Sequence, residues 1–337
     1  MGLMNGRIAC RRYERVGVPR EDPFDACVSP LIFAGFGDEE KIKAAGWVPL
    51  LDWFGKEVTE EGCHLQSGSF ALTLRQDTRR VPTHFFRQEC RLLAVEWRLR
   101  AGREDLTRAE REEIKVLVQK RLLARALPNT LGVDVVHVGP IVYVLSAGEA
   151  VNDTVRSLWE RTFGDKLLAL TPPTLLRSEG LKGTEHEGSD FLLWLWYRSE
   201  CLGEIDLSIE DKIAFADPET GKQLIVVKRG LVSETAEARA ARAAGKRVTE
   251  LRFLLNGTHT ATLKAETFGL TGIRLPTVAA DDSDDWRSTA LVRLGHLQDL
   301  WETLDRWWAE FVALKSGEGW SSVATEMAPW AQEGRAP

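Results

Sequence analysis

Residues 81–127 contain the pattern that most restricts the fold of this chain, because two helices with clear ends follow each other there. Apolar residues repeat at helical spacing at Leu92, Val95 and Leu99. Gly102 then breaks the first helix, and Thr107 with Glu110 has the spacing of a capping box at the start of the second. Pro128 ends the second helix because its ring cannot continue the backbone hydrogen bonds. The segment therefore predicts a pair of long helices, a helical arm.

Residues on both sides of the arm indicate β-structure. Predicted strands cover residues 8–13, 69–75, 133–146 with a break at Gly139-Pro140, 223–228, 248–255 and 258–263. Asn256-Gly257 lies between the last two strands and is the preferred pair for a type I′ hairpin turn. The apolar, aromatic-rich run 191–197 is predicted as a further, buried strand.

Four more helices are predicted. They cover residues 38–45, ending at Gly46; 153–163; 233–244, with Ser233 as N-cap and Gly245 as the stop; and a last helix that follows the acidic run Asp281 to Asp285. The wide apolar stripe of the last helix favours core packing, and a docking face for a partner subunit is the alternative. The pattern gives no prediction for the residues beyond Lys315.

These elements group into five parts of an α/β (α+β) protein. A first sheet region spans residues 1–80 with 128–175, and the helical arm spans 81–127. A second sheet region with a hairpin spans 176–280, a terminal amphipathic helix spans 281–315, and a tail spans 316–337. The chain of 337 residues is 44% hydrophobic, which is enough to bury a large core.

Charge is distributed unevenly along the chain, although the net charge is −6. Residues 87–125 contain 11 Lys and Arg against 7 Asp and Glu, a net charge of +4. Residues 228–252 contain 7 against 3, again +4, whereas residues 178–221 contain 3 against 11, a net charge of −8. A bound phosphate backbone responds to the local field, so the two basic segments are candidate DNA contacts. The alternative is that each is a solvated helix face.

Two sets of basic residues are the predicted DNA-binding residues. The first set lies at the end of a predicted strand and in the arm: Arg75, Arg79, Arg80, Arg121 and Arg125. The second set surrounds the helix at 233–244: Lys228, Arg229, Arg239, Arg242, Lys246 and Arg247. Helical spacing predicts that Arg239, Arg242 and Lys246 share one face, with small alanines between them.

No motif indicates an enzyme, a metal or a cofactor. The chain lacks a P-loop, a G-x-G-x-x-G turn and an H-E-x-x-H motif. Cys63-His64 and the Glu185-His186-Glu187 loop have poor spacing for a metal site, and the acidic run at 281–285 is more typical of a helix start than of a nuclease centre. Five scattered cysteines, the absence of a secretion signal and the absence of about 18 consecutive apolar residues predict a cytoplasmic protein that does not enter membranes.

Several stretches, in order along the chain, resemble the family of the recombination-associated protein RdgC. They are Gly46-Trp47-Val48-Pro49, residues 81–127, the run 191–200, and residues 226–255 with Lys228-Arg229-Gly230-Leu231 before a helix and Ala244-Gly245-Lys246 after it. The likeness extends over residues 41–314 with gaps. The chain departs from the family by lacking its opening Trp-Phe and by having a longer, tryptophan-rich C-terminal end.

This resemblance implies an α/β horseshoe that closes head to head as a homodimeric ring around duplex DNA. A protein of this kind binds without reading sequence, restrains the strand-exchange recombinase and associates with the nucleoid. The resemblance puts Leu127, where the family has an aromatic residue, at one dimer contact and the Lys228-Arg229 pair near the other. Two other functions remain open: a DNA exonuclease, a label the family has carried, and a dimeric interaction module that binds no nucleic acid.

Overall fold

The computed structural model of this chain describes residues 2–38, 41–66, 68–183, 186–227, 232–275, 286–317 and 319–332. Within these residues, eleven strands form one sheet. They are β1 (Ile8–Val16), β2 (Lys43–Val48), β3 (Phe70–Thr78), β4 (Asn129–Val138), β5 (Ile141–Val144), β6 (Lys166–Ala169), β7 (Leu207–Ala216), β8 (Gln223–Val227), β9 (Arg247–Leu255), β10 (His259–Lys264) and β11 (Leu270–Arg274).

The described residues also form ten helices. They are α1 (Phe24–Val28), α2 (Glu60–Cys63), α3 (Thr83–Ala101), α4 (Arg108–Arg125), α5 (Glu149–Phe163), α6 (Pro172–Ser178), α7 (Glu187–Tyr197), α8 (Ala236–Ala243), α9 (Trp286–Ser316) and α10 (Gly319–Gln332). Short 3₁₀ turns cover Ser29–Leu31 and Val232–Glu234, and a π-helical turn covers Arg198–Leu202. The predicted α/β (α+β) class with antiparallel sheets and long helices is thus observed.

The strand β1 joins the two halves of the sheet. The strand order is β2-β3-β4-β5-β1-β11-β10-β9-β7-β8, with β6 also paired to β1, and the pairings between these strands are antiparallel. The beginning of β1 pairs with β11 at Ile8 and Cys10, and its later residues pair with β5 and β6. The first half of the chain and the second half therefore lie on opposite sides of β1.

Two large hydrophobic clusters lie against the sheet. One is in the first half, where Trp47 of β2 is fully buried and its indole nitrogen donates to Thr162 of α5 at 2.8 Å. Gly46 precedes Trp47 because a Cβ there would lie 2.5 Å from the backbone of Phe33. The other cluster lies mainly between β7–β11 and the helices α7, α8, α9 and α10, and it also includes residues of the first half such as Ile8 and Tyr143.

The prediction for residues 38–45 is wrong, since the described part of this segment enters a strand. Residues 39–40 lie outside the described residues, and β2 begins at Lys43. It pairs along its whole length with β3, from Lys43 opposite Thr78 to Val48 opposite Thr73. The ladder of hydrogen bonds to β3 overrides the weak helical preference of a short lysine- and alanine-rich segment.

The prediction for residues 191–197 is also wrong, because this run is the helix α7. Phe191, Leu192, Trp194, Leu195, Trp196 and Tyr197 are all buried. A helix that is covered on every side loses the apolar-polar period that identifies it, and a short apolar run then matches a buried strand equally well.

The helix predicted for residues 233–244 starts two residues later than expected. The helix α8 begins at Ala236, and the Thr235 hydroxyl, rather than Ser233, accepts from the Ala238 amide at 3.1 Å. Gly245 follows this helix with a φ of 71°, as its predicted role as the stop requires. The hairpin prediction is confirmed, since Asn256 and Gly257 have φ values of 50° and 63°, as a type I′ turn requires.

The terminal helix α9 packs into the core along its apolar stripe. Its buried apolar residues are Ala290, Leu294, Leu297, Leu300, Trp301, Leu304, Trp307, Trp308, Phe311 and Val312. The core interpretation is therefore confirmed, and this stripe does not form the docking face that was the alternative. The helix α10, which lies in the segment without a sequence-based prediction, covers the same cluster with Met327 and Trp330. The acidic run Asp281 to Asp285 lies outside the described residues.

Candidate nucleic-acid interface

The helices α3 and α4 form a hairpin with its own small core, which we call the arm (residues 81–127). Leu106, Ile114 and Val118 are buried there, with Phe86, Cys90, Leu93, Ala94, Trp97 and Leu122 packed against them. The two other hydrophobic clusters contain no residue of the arm. No residue of α3 is fully buried, so this helix contributes one side to the arm's core and presents the rest of its surface outward.

The start of α4 is fixed by the predicted capping box. The Thr107 hydroxyl accepts from the Glu110 amide at 3.2 Å, and the Glu110 carboxylate accepts from the Thr107 amide at 2.7 Å. These hydrogen bonds from the Thr107 backbone and hydroxyl lower the pKa of Glu110. The capping box orients the second helix of the arm against the first, because it fixes the point where the connecting residues end.

All eleven basic residues of the arm are exposed. They are Arg87, Arg91, Arg98, Arg100, Arg103, Arg108, Arg111, Lys115, Lys120, Arg121 and Arg125. Several have acidic neighbours: Arg103 lies 2.5 Å from Glu110, and Arg121 lies 3.6 Å from Glu89. Arg100 with Glu96, Arg111 with Asp105, and Lys115 with Glu112 are further ion pairs at 4.0, 3.6 and 2.7 Å.

Arg87, Arg91 and Arg98 form a basic stripe on α3. A helix turns by about 100° per residue, which places these three side chains within about 40° of one another around the axis. Within the part of the chain that the structure describes, no carboxylate forms an ion pair with any of the three; Arg98 donates only to the carbonyl of Ala94, at 3.2 Å. Three adjacent guanidinium groups without a neutralising acid form a local positive field on a chain of net charge −6.

The predicted apolar stripe of α3 is present but is not covered. Leu92, Val95 and Leu99 are 54%, 46% and 77% exposed, and Phe85 extends the same stripe. Its centre lies about 100° around the helix from the basic stripe. The helical arm therefore presents a positive surface and an apolar surface side by side.

Four predicted site residues meet where the arm joins the sheet. β3 runs into the arm and β4 leaves it, with Thr78 directly opposite Asn129. Arg79 and Arg80 follow β3, and Arg125 and Leu127 precede β4, so the pairing brings the two ends together. Arg79 lies over the Phe36 ring at 3.8 Å, Arg80 and Arg125 are exposed, and Leu127 is 91% exposed. Leu127 is therefore an exposed residue that does not pack into the core of the monomer.

Arg75, in the same predicted set, is occupied within the fold. Its guanidinium binds Asp77 through two hydrogen bonds of 3.0 and 2.8 Å and donates to the carbonyl of Trp53 at 2.9 Å. Phe33 and Phe54 lie against it at 4.1 and 4.7 Å. This side chain orders the loops beside β3 rather than adding to the positive surface of the arm.

The described residues of the second predicted set lie at the opposite end of the sheet and do not form the three-charge helix face that their spacing suggested. Arg239 is exposed, but Arg242 is 4% exposed and lies 3.8 Å from the Trp330 ring and 3.7 Å from Glu200. Lys246 follows the end of α8. The prediction fails because helical spacing shows which residues share a face but not that α10 covers part of it.

The other residues of this set have separate surroundings. Arg247 begins β9 and lines a cleft of about 800 Å³ together with Lys264 and Glu250. Lys228 and Arg229 lie outside the described residues, so their predicted contact stays a prediction.

Sequence reasoning missed the stripe of Arg87, Arg91 and Arg98 as a unit. The signal was present, since their spacing of four and seven residues lies on one helix face. Among the described residues, no group of three or more His, Cys, Asp or Glu side chains is arranged to hold a metal ion. The described helices also include none with the length and hydropathy needed to cross a membrane.

No protein-family model matches the chain, and a search of the curated proteins finds no match.

Proposed function

We propose that this protein binds duplex DNA without reading its sequence and acts as a homodimeric ring of the RdgC type. In this function it modulates homologous recombination and replication in the cytoplasm, at the nucleoid, by restraining the strand-exchange recombinase. The observation that carries the proposal is the arm, whose eleven basic residues are all exposed and whose Arg87, Arg91 and Arg98 form no ion pair with a described carboxylate.

Phosphate contact is the mode of binding that this surface supports best. Guanidinium groups match the geometry of phosphate oxygens, and long arginine side chains on an outer helix face reach a backbone without entering a groove. The chain has no base-reading motif beside the stripe. Affinity then comes from released counterions and is independent of base sequence.

The arm-sheet junction supports a dimer contact. Leu127 is 91% exposed at the point where Arg80 and Arg125 are also exposed. Burial of such an exposed apolar side chain under a second subunit lowers the free energy of the complex. A contact between two copies at this place would bring the basic residues of both junctions together, as a ring around a duplex requires.

The test compares two triple variants of the arm with equal charge. In the first, Arg87, Arg91 and Arg98 are each changed to Gln. In the second, the control, Arg100, Arg103 and Arg111, which pair with Glu96, Glu110 and Asp105, are each changed to Gln. Affinity for a duplex is measured by fluorescence anisotropy over a series of salt concentrations.

The stripe variant is expected to flatten the slope of log affinity against log salt by about 2.7, which is 0.9 for each of three phosphate contacts. The control variant is expected to change this slope by less than half as much, because each of its arginines has a carboxylate within 4.0 Å that offsets part of its charge. Equal slopes for both variants and the wild type would refute the stripe as the interface. Adding magnesium to the bound DNA tests the exonuclease alternative, which predicts degradation of the duplex.

A further inference from the structure

Three arginines that are far apart in sequence lie where β1 begins and β11 ends. Arg7 precedes β1, Arg274 ends β11, and Arg293 is on α9. They line a cavity of about 500 Å³ together with Asn5, Gly6 and Thr289. Met4 and Leu275 complete the described lining, and none of these described lining residues is acidic.

Arg293 is the buried member of the group. Its side chain is 6% exposed, and its guanidinium donates to the carbonyls of Leu3 at 2.5 Å and Gly6 at 2.9 Å. Within the described part of the chain it forms no ion pair with a carboxylate, and burial lowers its pKa. A buried charge without a counter-ion is costly, and two carbonyl groups compensate only part of the lost hydration.

Arg7 and Arg274 lie next to each other on neighbouring strands. β1 and β11 are antiparallel with Ile8 opposite Ile273, so the residues beyond this pair, Arg7 and Arg274, also face each other. Both are exposed, and neither forms an ion pair with a described acid. Two like charges directly opposite each other destabilise a strand pair unless an ion of opposite charge lies between them.

The helix α9 adds hydrogen-bonding capacity to the same cavity. Thr289 and Arg293 are one turn apart and both line it, so the hydroxyl and the guanidinium approach from one helix face. The cavity is large enough for a small ligand that carries a phosphate, and it lies within the range of volumes found for ligand sites.

We propose that Arg7, Arg274 and Arg293 form a binding site for a phosphate group, separate from the DNA surface of the arm. Arg293 provides a fixed, buried donor, because its guanidinium is held by the carbonyls of Leu3 and Gly6. Arg7 and Arg274 close on the ligand from the strand ends, and the bound phosphate removes the repulsion between them. The phosphate belongs either to a small phosphorylated molecule or to a DNA backbone.

The test uses inorganic phosphate as the probe. Binding of ³²P-labelled phosphate is measured by equilibrium dialysis, and Tm is measured in phosphate and in sodium chloride of equal ionic strength. The test variant carries Arg7→Gln with Arg274→Gln, both at exposed positions. The control variant carries Arg100→Gln with Arg111→Gln, which removes the same charge from the arm.

The wild type and the control are expected to bind one phosphate per chain, and phosphate at ten times its Kd is expected to raise their Tm by about 2 °C more than that of the test variant. Comparison with the test variant corrects for the general stabilisation of proteins by phosphate salts. Equal binding and equal Tm responses in all three proteins would overturn the site.

A competition step identifies the source of the phosphate. If the site takes a DNA phosphate, excess duplex displaces the labelled phosphate, and the test variant binds duplex several-fold more weakly than the wild type. If the site takes a small molecule, duplex leaves the labelled phosphate bound. Either result is independent of the arm variants, so failure of this site and failure of the proposed DNA surface can be told apart.

Discussion

The arm and residues 228–252 have the same net charge in the sequence, yet the structure places their described arginines in different surroundings. In the arm, all eleven basic side chains are exposed, and three share a stripe without a described acidic partner. In the other segment, Arg242 is buried beside Trp330 and Glu200. Equal charge in a sequence therefore does not imply an equal positive field at the surface.

The difference arises from what covers each helix. The buried alanines of α8, Ala238 and Ala241, allow other elements to approach closely, and α10 places Trp330 over Arg242. The arm helices, in contrast, cover only each other, through their own small core. A basic helix is thus a candidate for phosphate binding only where no second layer packs on its charged face.

The largest expected effect contrasts two leucines one turn apart at the end of the arm. Leu123 is 4% exposed and Leu127 is 91% exposed. Leu123→Asp is expected to lower the free energy of unfolding by several kcal/mol, because an unpaired carboxylate is buried. Leu127→Asp is expected to change it by less than about 0.5 kcal/mol, as is usual for exposed positions. Urea denaturation followed by circular dichroism measures both.

The same pair of variants tests the dimer contact. Leu127→Asp should give a folded monomer that releases duplex faster than the wild type, as measured by sedimentation and by dissociation kinetics. A wild-type protein that sediments as a monomer at micromolar concentration would contradict the ring, whatever this variant does.

A second contrast, of intermediate size, separates the two arginines of α8. Arg242→Ala is expected to lower the free energy of unfolding by about 2 kcal/mol, because Glu200 loses its cationic neighbour and Trp330 loses its packing surface. Arg239→Ala, at an exposed position on the same helix, is expected to change it by less than about 0.5 kcal/mol. Thermal denaturation provides the measurement. A similar, small loss in both variants would show that Arg242 is not a structural residue.

The local signals of the sequence were sufficient for much of the fold. The arm helices, the capping box and the Asn256-Gly257 turn depend on contacts within a few residues, and all three are observed. The strand β2 and the helix α7 could not be predicted, because β2 depends on its distant partner β3 and α7 is covered on all sides. Local pattern fails where tertiary contacts determine the conformation.

The candidate site shows the same limit. The exposure of Leu127 and the charge of the arm were accessible to sequence reasoning. The burial of Arg242 depends on Trp330, nearly ninety positions further along the chain, and that of Arg75 depends on the aromatic rings of Phe33 and Phe54. No spacing rule links such residues, since their proximity is a consequence of the finished fold.

The smallest predicted difference distinguishes the two basic regions in solution. Arg242→Gln is expected to lower Tm while leaving the salt slope of duplex binding unchanged. The stripe variant of Arg87, Arg91 and Arg98 should flatten the slope and shift Tm by less than about 1 °C, because exposed charges contribute little to stability. Tm and the salt slope are measured for both variants. If the two variants changed these quantities in the same way, the distinction between the two basic regions would be contradicted.

The most direct test of the central claim is the affinity of the wild type for two unrelated duplex sequences over a range of salt concentrations. The phosphate-binding surface proposed for the arm predicts that log affinity falls linearly with log salt, with a slope of about −2.7 or steeper for the three stripe arginines. Both sequences are expected to follow the same line. A response that does not depend on salt, or a strong preference for one of the two sequences, would contradict it.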